Sequence, residues 1–108
     1  MNTEEAGCAA VIDASPKVQY WVRNLVRDGY SFWLQTPTDK FYPDFIALLA
    51  DGRYLVVEYK GAGWIKNEDS EEKKVVGALW EARSKGTCVF RLVGNDNMEQ
   101  ELRQLLGY

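Results

Sequence analysis

The turn between two apolar segments constrains the fold of this chain more than any other feature. Residues 41–49 and 53–60 are rich in residues that favour strands, and Ala50-Asp51-Gly52 separates them. This spacing is typical of a β-hairpin, because glycine accepts the left-handed backbone that a tight turn requires. The sequence therefore predicts two antiparallel strands, and the loop length sets which side chains face one another.

The segments before the hairpin predict one helix and one further strand. Ser15-Pro16 is typical of a helix start, and the apolar residues that follow fit one helical face, so we expect a helix over residues 15–29. Aromatic residues indicate a strand over residues 30–36. Residues 1–14 are small, acidic and aperiodic, and we expect them to form a flexible N-terminal arm or linker.

The segments after the hairpin predict two helices separated by a strand. Residues 69–86 begin with a capping pattern, and the expected inner side of this helix carries Val76, Leu79, Trp80 and Arg83. Residues 87–93 form an apolar run that is typical of a central strand, covered on both faces and parallel to a neighbour. A last helix follows around Leu102. Residues 15–108 therefore predict one α/β domain, ordered helix, three strands, helix, strand and helix, with a mixed sheet flanked by helices.

The composition limits the chemistry that the chain can perform. Its 108 residues include no histidine, which excludes imidazole bases and the Ser-His-Asp and Cys-His triads. Catalysis would have to use carboxylates, lysine or a hard metal ion. Cys8 and Cys88 are too few for a disulfide framework and are not at metal-binding spacing, which favours reduced thiols in a cytoplasmic protein. No apolar segment is long enough to span a bilayer, so we expect no membrane partner.

The charge balance gives no electrostatic footprint for nucleic acid. Thirteen Lys and Arg residues against 16 Asp and Glu residues leave a net charge of -3. Scattered cations usually belong to a solvated surface, and Lys73 in particular fits ordinary helix-surface charge. Six side chains are still candidates for contacts to DNA: Arg23, Asn24, Arg27, Lys40, Lys66 and Lys73.

Three residues around the hairpin could form a catalytic site. Strand periodicity places Glu58 and Lys60 on one face, where the simplest interpretation is a charged pair that faces water at the end of a strand. Asp44 favours a different interpretation, because aspartate is depleted within strands. Two carboxylates held side by side on a sheet could bind Mg²⁺, a hard cation that prefers oxygen ligands.

The loop length decides whether this site can exist. A two-residue loop would pair Ala50 with Arg53 and turn Asp44 away from Glu58. A three-residue loop with Gly52 in the left-handed conformation would pair Asp44 with Glu58. The hypothesis of a metal site therefore predicts the three-residue loop.

These residues resemble a known signature. Pro43-Asp44 followed, after thirteen residues, by Glu58-Tyr59-Lys60 resembles the motif of the PD-(D/E)xK nuclease superfamily, and the predicted element order resembles its restriction-endonuclease-like core. The chain resembles the C-terminal endonuclease domain of the res subunits of type III restriction enzymes, from about residue 17 to about residue 91. The segments that carry this similarity are residues 20–25, 31–36, 41–45 and 55–61.

The resemblance implies a Mg²⁺-dependent endonuclease acting on duplex DNA, in which Mn²⁺ could substitute. Asp44, Glu58 and the main-chain carbonyl of Tyr59 would hold the metal, and Lys60 would position the attacking water. Many members add an acid from the first helix, a place that Gln19 or Asn24 would have to take here.

The resemblance also implies partners, namely a helicase region of the same polypeptide and a modification methyltransferase subunit. The chain has no GxxxxGK[ST] phosphate loop and hence no ATP site, so we expect a fragment or a detached relative of such a subunit. Because its net charge is acidic, we expect it to rely on neighbours to bind DNA and to be weakly active in isolation. Two alternatives remain open: a catalytically silent DNA-binding or docking module on the same fold, and a nuclease for branched DNA or RNA.

Overall fold

A computed structural model describes residues 3–24, 32–37, 40–60, 68–94 and 97–107. Within these ranges, no helix is both long enough and apolar enough to cross a membrane. The helices are α1 (Thr3–Ala14), α2 (Glu68–Arg83) and α3 (Met98–Leu106), and the strands are β1 (Val18–Arg23), β2 (Leu34–Gln35), β3 (Lys40–Phe41), β4 (Phe45–Leu49), β5 (Tyr54–Lys60) and β6 (Cys88–Gly94).

Four of the strands form a mixed sheet between layers of helices. Their order is β1-β4-β5-β6, with β4 antiparallel to β1 and β5, and with β6 parallel to β5. On one face, Ile12 of α1 and Leu102 of α3 share a core with Val57. On the other face, Trp80 of α2 packs in a second core with Phe90. The predicted α/β class with a mixed sheet is therefore confirmed.

The hairpin between β4 and β5 has the three-residue loop that the metal-site hypothesis requires. The Leu49 amide donates a hydrogen bond to the Arg53 carbonyl over 2.8 Å. Gly52 has a φ of 90°, a left-handed backbone conformation that would be strained in a residue with a side chain. Ile46 consequently pairs with Val56, as this register predicts.

The N-terminal segment differs from its prediction. The expected flexible arm over residues 1–14 is wrong for the part described, because Thr3–Ala14 forms helix α1. Cys8 and Ile12, one helical turn apart, are completely buried against the sheet. The small residues of this segment hide its apolar face in the sequence.

The predicted helix over residues 15–29 is also wrong where it is described, because Val18–Arg23 forms strand β1. Spacing alone fits a helical face, but aromatic and β-branched residues favour the extended backbone, and β4 supplies a partner strand. Trp21 faces α1, where its indole nitrogen donates a hydrogen bond to Asp13 over 2.9 Å. Residues 25–29 lie outside the described ranges.

The flanking strands are shorter than predicted. In the segment 30–36, of which residues 30 and 31 are not described, only Leu34–Gln35 is a strand, and it pairs with Lys40–Phe41 in a separate two-stranded sheet. The predicted strand over residues 41–49 is interrupted before β4, where Pro43 has no N–H for a ladder hydrogen bond.

Strand β6 lies at an edge of the described sheet and not at its centre. Its apolar composition reflects the two helical layers that cover its faces and not strands on both sides. Side chains close the open edge: the Phe90 amide donates to the Glu81 carboxylate over 2.7 Å, and Arg91 donates to the Phe90 carbonyl over 2.7 Å.

The inner side of helix α2 is predicted in part: Val76 and Trp80 pack against the sheet as expected, whereas Leu79 and Arg83 do not. Leu79, expected on the inner side, is 50% exposed. The inner side also carries Gly77, where an added Cβ would clash with the ring of Phe90. The close approach of helix and strand at this glycine sets the rotation of α2.

Replacing Gly77 with alanine is expected to destabilise the fold by about 1–3 kcal/mol, because overpacking against Phe90 outweighs the gain in helix propensity. Denaturant unfolding monitored by circular dichroism measures the effect. As a control, Gly77→Ala combined with Phe90→Leu should recover part of the loss. An unchanged midpoint for the single variant would show that the helix can move away at no cost.

Candidate active site

The main chain brings Asp44 to the same level as Glu58. The register of β4 and β5 pairs Phe45 with Val57, so its next step places Asp44 beside Glu58. The Asp44 amide donates a hydrogen bond to the Val57 carbonyl over 3.0 Å. Its carboxylate accepts one from the Tyr59 amide over 2.7 Å. The Asp44 carboxylate thus accepts the hydrogen bond that a main-chain carbonyl of a neighbouring strand would otherwise accept. This bond holds the side chain in place directly before β4.

Glu58 is the most buried charged group of the site. The residue is 4% exposed, and its Oε2 accepts a hydrogen bond from Lys73 Nζ at 3.1 Å. Lys60 Nζ lies 3.3 Å from the same oxygen. The other oxygen, Oε1, is buried and has no hydrogen-bond partner among the described residues. A buried carboxylate oxygen without a donor is costly, which makes Oε1 a place where a cation would be stabilising.

The electrostatics of Glu58 follow from these contacts. Burial, together with the nearby Asp44 carboxylate, raises the pKa of Glu58 to about 7, while Lys73 and Lys60 oppose the rise. Asp44 is close enough to share a hydrogen bond with Glu58 when a proton lies between them. A divalent cation in the same position would satisfy both carboxylates and remove their repulsion.

Tyr59 adds a main-chain oxygen to the same edge. In a strand, the N–H and C=O groups of one residue point to the same side, so the carbonyl of Tyr59 faces the edge where its amide meets Asp44. Pro43, at this level of the neighbouring segment, has no N–H to offer. The oxygen atoms that could bind a metal ion here thus come from two carboxylates and one carbonyl. Among the described residues, no group of three or more His, Cys, Asp and Glu side chains could hold a metal ion.

Sequence reasoning missed the position of Lys73. Its ammonium group contacts Glu58 and also lies 4.9 Å from the centre of the Phe41 ring, so it belongs to the site and not to the helix surface. A signal for this position exists in the sequence. Lys73 precedes Val76 and Trp80, both packed against the sheet, by three and seven residues, the spacing of one helical face.

Asn24 has a structural role beside the segment that carries Asp44. Its amide nitrogen donates to the carbonyls of Phe32 and Pro43 over 2.7 and 2.9 Å, and its oxygen accepts from the Phe32 amide over 2.9 Å. The Asn24 main-chain amide also donates to the Asp44 carbonyl over 2.8 Å. Asn24 therefore anchors the segment that carries Asp44.

Replacing Asn24 with alanine is expected to cost about 1–3 kcal/mol of unfolding free energy, because it leaves partly buried main-chain groups without partners. Urea unfolding tests this prediction. Asn24→Asp, which keeps an acceptor for the Phe32 amide and loses both donors, should give an intermediate loss. Equal midpoints for the wild type and Asn24→Ala would contradict the assigned role.

The other expected residues lie at different distances from the site. Gln19 bonds to Leu49 at the hairpin end of the sheet, roughly 17 Å along β4 from Asp44, so it cannot stand in for a first-helix acid. Arg23 lies at the Asp44 end of β1 and pairs with Glu5 of α1 over 3.9 Å. Lys40 Nζ lies 4.7 Å from the centre of the Trp33 ring. Arg27 and Lys66 lie outside the described residues.

The first helix does supply an acid near the site, from a segment that the sequence did not predict to be helical. Burial raises the pKa of Cys8 to about 12, and the carboxylates of Asp44 and Glu5 add to the rise. Both carboxylates therefore lie near this buried thiol. Among the described side chains of α1, Glu5 is the acid at this end of the sheet, where it pairs with Arg23 opposite Phe45.

No protein-family model, curated protein or solved structure matches the chain.

Proposed function

We propose that this chain is a metal-dependent endonuclease domain of the PD-(D/E)xK superfamily that hydrolyses DNA phosphodiester bonds. The observation that carries the proposal is the pairing of Asp44 with Glu58, which leaves the buried Oε1 of Glu58 without a donor among the described residues. The order of α1, the strands β1, β4 and β5, helix α2 and strand β6 supports it, because this is the order expected of a restriction-endonuclease-like core.

The donors fit Mg²⁺, with Mn²⁺ as a substitute, because they are all oxygens and include two carboxylates. Asp44, Glu58 and the carbonyl of Tyr59 would hold the ion. When bound, the ion would supply a hydroxide-like water and positive charge for the scissile phosphate. The sheet contributes rigidity, since the Tyr59 amide fixes the Asp44 carboxylate and β5 fixes Glu58.

Lys60 is suited to act on the substrate. Its side chain is 24% exposed while its ammonium group lies beside Glu58, so it can reach the solvent side of the site without leaving it. An ammonium group there donates hydrogen bonds to the attacking water and to a phosphate oxygen. Lys73, whose side chain is 18% exposed, lies 3.1 Å from the same oxygen of Glu58 and helps to neutralise it.

The biological setting is part of the proposal. The chain would be the cleavage module of a type III restriction enzyme, acting on duplex DNA in the cytoplasm together with a helicase region and a modification methyltransferase subunit. The net charge of -3 supports a dependence on such partners, because Lys and Arg contacts to phosphates dominate DNA affinity. Arg23 and Lys40 are the described surface cations from the initial set that could touch the DNA backbone.

Plasmid cleavage tests the proposal. At high protein concentration, the wild type is expected to nick supercoiled DNA with Mg²⁺ or Mn²⁺ and not with excess chelator. Asp44→Asn should remove this activity, whereas Glu99→Gln, which changes an exposed carboxylate of α3, should keep it. Cleavage by Asp44→Asn at the wild-type rate would overturn the proposal.

One observation favours the second candidate, a silent DNA-binding or docking module. Lys60 and Lys73 both neutralise Glu58 from within the protein, as they would in a site that no longer takes a metal. Such a module would bind DNA or protein without cutting and would not respond to divalent ions. Titration of the metal-free protein with Mn²⁺ separates the two candidates.

A further inference from the structure

Helix α2 carries a second apolar face that points away from the sheet. Val75 and Leu79 are 66% and 50% exposed, and Ala78 and Ala82 next to them are exposed as well. These four residues follow the spacing i, i+3, i+4 and i+7, at which side chains share one face of a helix. We call them the outer stripe. A solvated helix would carry polar residues at such positions, so the outer stripe has the composition of a contact surface.

The charges at the two ends of the outer stripe have opposite signs. Glu71 and Glu72 lie at its beginning, and Arg83 and Lys85 lie at its end. Lys74 and Glu81 carry the reverse charges, but they lie on the flank of α2 next to β6. Within the described part of the chain, no ion pair engages Glu71, Arg83 or Lys85. The flank that faces away from β6 therefore has an acidic end with Glu72 and a basic end with Arg83, beside the apolar centre. A surface with this arrangement is complementary to a second copy of itself in the reverse direction.

We propose that the outer stripe joins two copies of this chain through antiparallel α2 helices. A two-fold axis between Ala78 and Leu79 sets Val75 of one copy opposite Ala82 of the other, which brings the apolar centres together. Glu72 and Arg83 lie on the same flank of the outer stripe. In an antiparallel pair of helices, this flank of one copy lies beside the same flank of the other copy. Each Glu72 therefore meets Arg83 of the second copy. A parallel pair would instead bring the two acidic beginnings together.

The neighbouring edge of the sheet, formed by β6, is protected against strand addition, the alternative way in which two copies could associate. Strand β6 could add a strand from another chain only through its open edge. At Phe90 this edge is capped on both its N–H and its carbonyl by Glu81 and Arg91. On this side of the molecule, association through the helix is therefore favoured over strand addition.

The concentration dependence of the mass in solution tests the proposal. Sedimentation velocity of the 108-residue chain, without metal or DNA, is expected to show a shift from monomer toward dimer as the concentration rises to several hundred micromolar. Leu79→Glu should weaken the association at least about tenfold, because it places two carboxylates in the apolar centre. Leu79 is half exposed, so circular dichroism should show an unchanged fold.

Charge exchange distinguishes this dimer from unspecific apolar association. Glu72→Arg alone and Arg83→Glu alone should each weaken the dimer, and the double exchange should restore it. Val22→Glu, which alters an exposed apolar residue of β1, should leave the association unchanged. The proposal is overturned if the wild type stays monomeric throughout, if Leu79→Glu has no effect, or if the double exchange does not restore the dimer. None of these outcomes depends on nuclease activity.

Discussion

Lys60→Ala is expected to lower DNA cleavage by about 10²- to 10⁴-fold while leaving the affinity for Mn²⁺ within a few-fold of the wild type. The reason is the position of Lys60. Its ammonium group lies 3.3 Å from Glu58 Oε2 and has access to solvent, so it can serve the water and the phosphate without being a metal ligand. A group of this kind acts mainly in the transition state, and its loss appears in turnover and not in metal binding.

Single-turnover cleavage at saturating Mn²⁺, together with calorimetric titration of the same variant, measures both quantities. Lys17→Ala is the matched control, because it removes an exposed lysine at the hairpin end of the sheet, away from Asp44. If Lys60→Ala lost metal binding and cleavage in equal proportion, Lys60 would be a structural partner of Glu58. If it cleaved at the wild-type rate, its assigned role would be wrong.

Glu58→Gln is expected to stabilise the metal-free protein at pH 8 by about 3 kcal/mol and to have little effect near pH 4.5. The sign follows from the raised pKa of Glu58, about 7 in the folded protein against 4.5 for the free side chain. The folded state binds this proton more tightly than the unfolded chain does. The resulting stability is complete below the unfolded pKa and is lost as the pH rises through the folded value.

Urea unfolding of the wild type and Glu58→Gln between pH 4 and pH 8 measures this difference, in which the titration of the other groups largely cancels. Adding Mg²⁺ at pH 8 should stabilise the wild type and leave Glu58→Gln unchanged, because the carboxylate that receives the ion is missing. A difference between the two proteins that stays constant over this pH range would contradict the assigned burial and repulsion of Glu58.

The hairpin and its site could be predicted from the sequence because they depend on local rules. Gly52 permits the three-residue loop, and strand periodicity then fixes which residues face Asp44. Lys60 follows Glu58 by two residues on one strand, so its proximity needs no knowledge of tertiary structure.

The remaining elements depend on partners that the sequence does not reveal locally. The apolar residues of β1 fit a helix as well as a strand, and pairing with β4 decides between them. Helix α1 is recognised only through the burial of Cys8 and Ile12 against the sheet. Lys73 reaches Glu58 because Gly77 lets α2 approach Phe90, a contact between segments that are distant in the chain.

The central claim is that Asp44 and Glu58 together form one cation site. Isothermal titration of the metal-free protein with Mn²⁺ at pH 8 tests it most directly, with Asp44→Asn as the variant and Glu99→Gln as the control. We expect one Mn²⁺ per chain for the wild type and for Glu99→Gln, and at least about tenfold weaker binding for Asp44→Asn. Absence of Mn²⁺ binding to the wild type, or equal binding to Asp44→Asn, would contradict it.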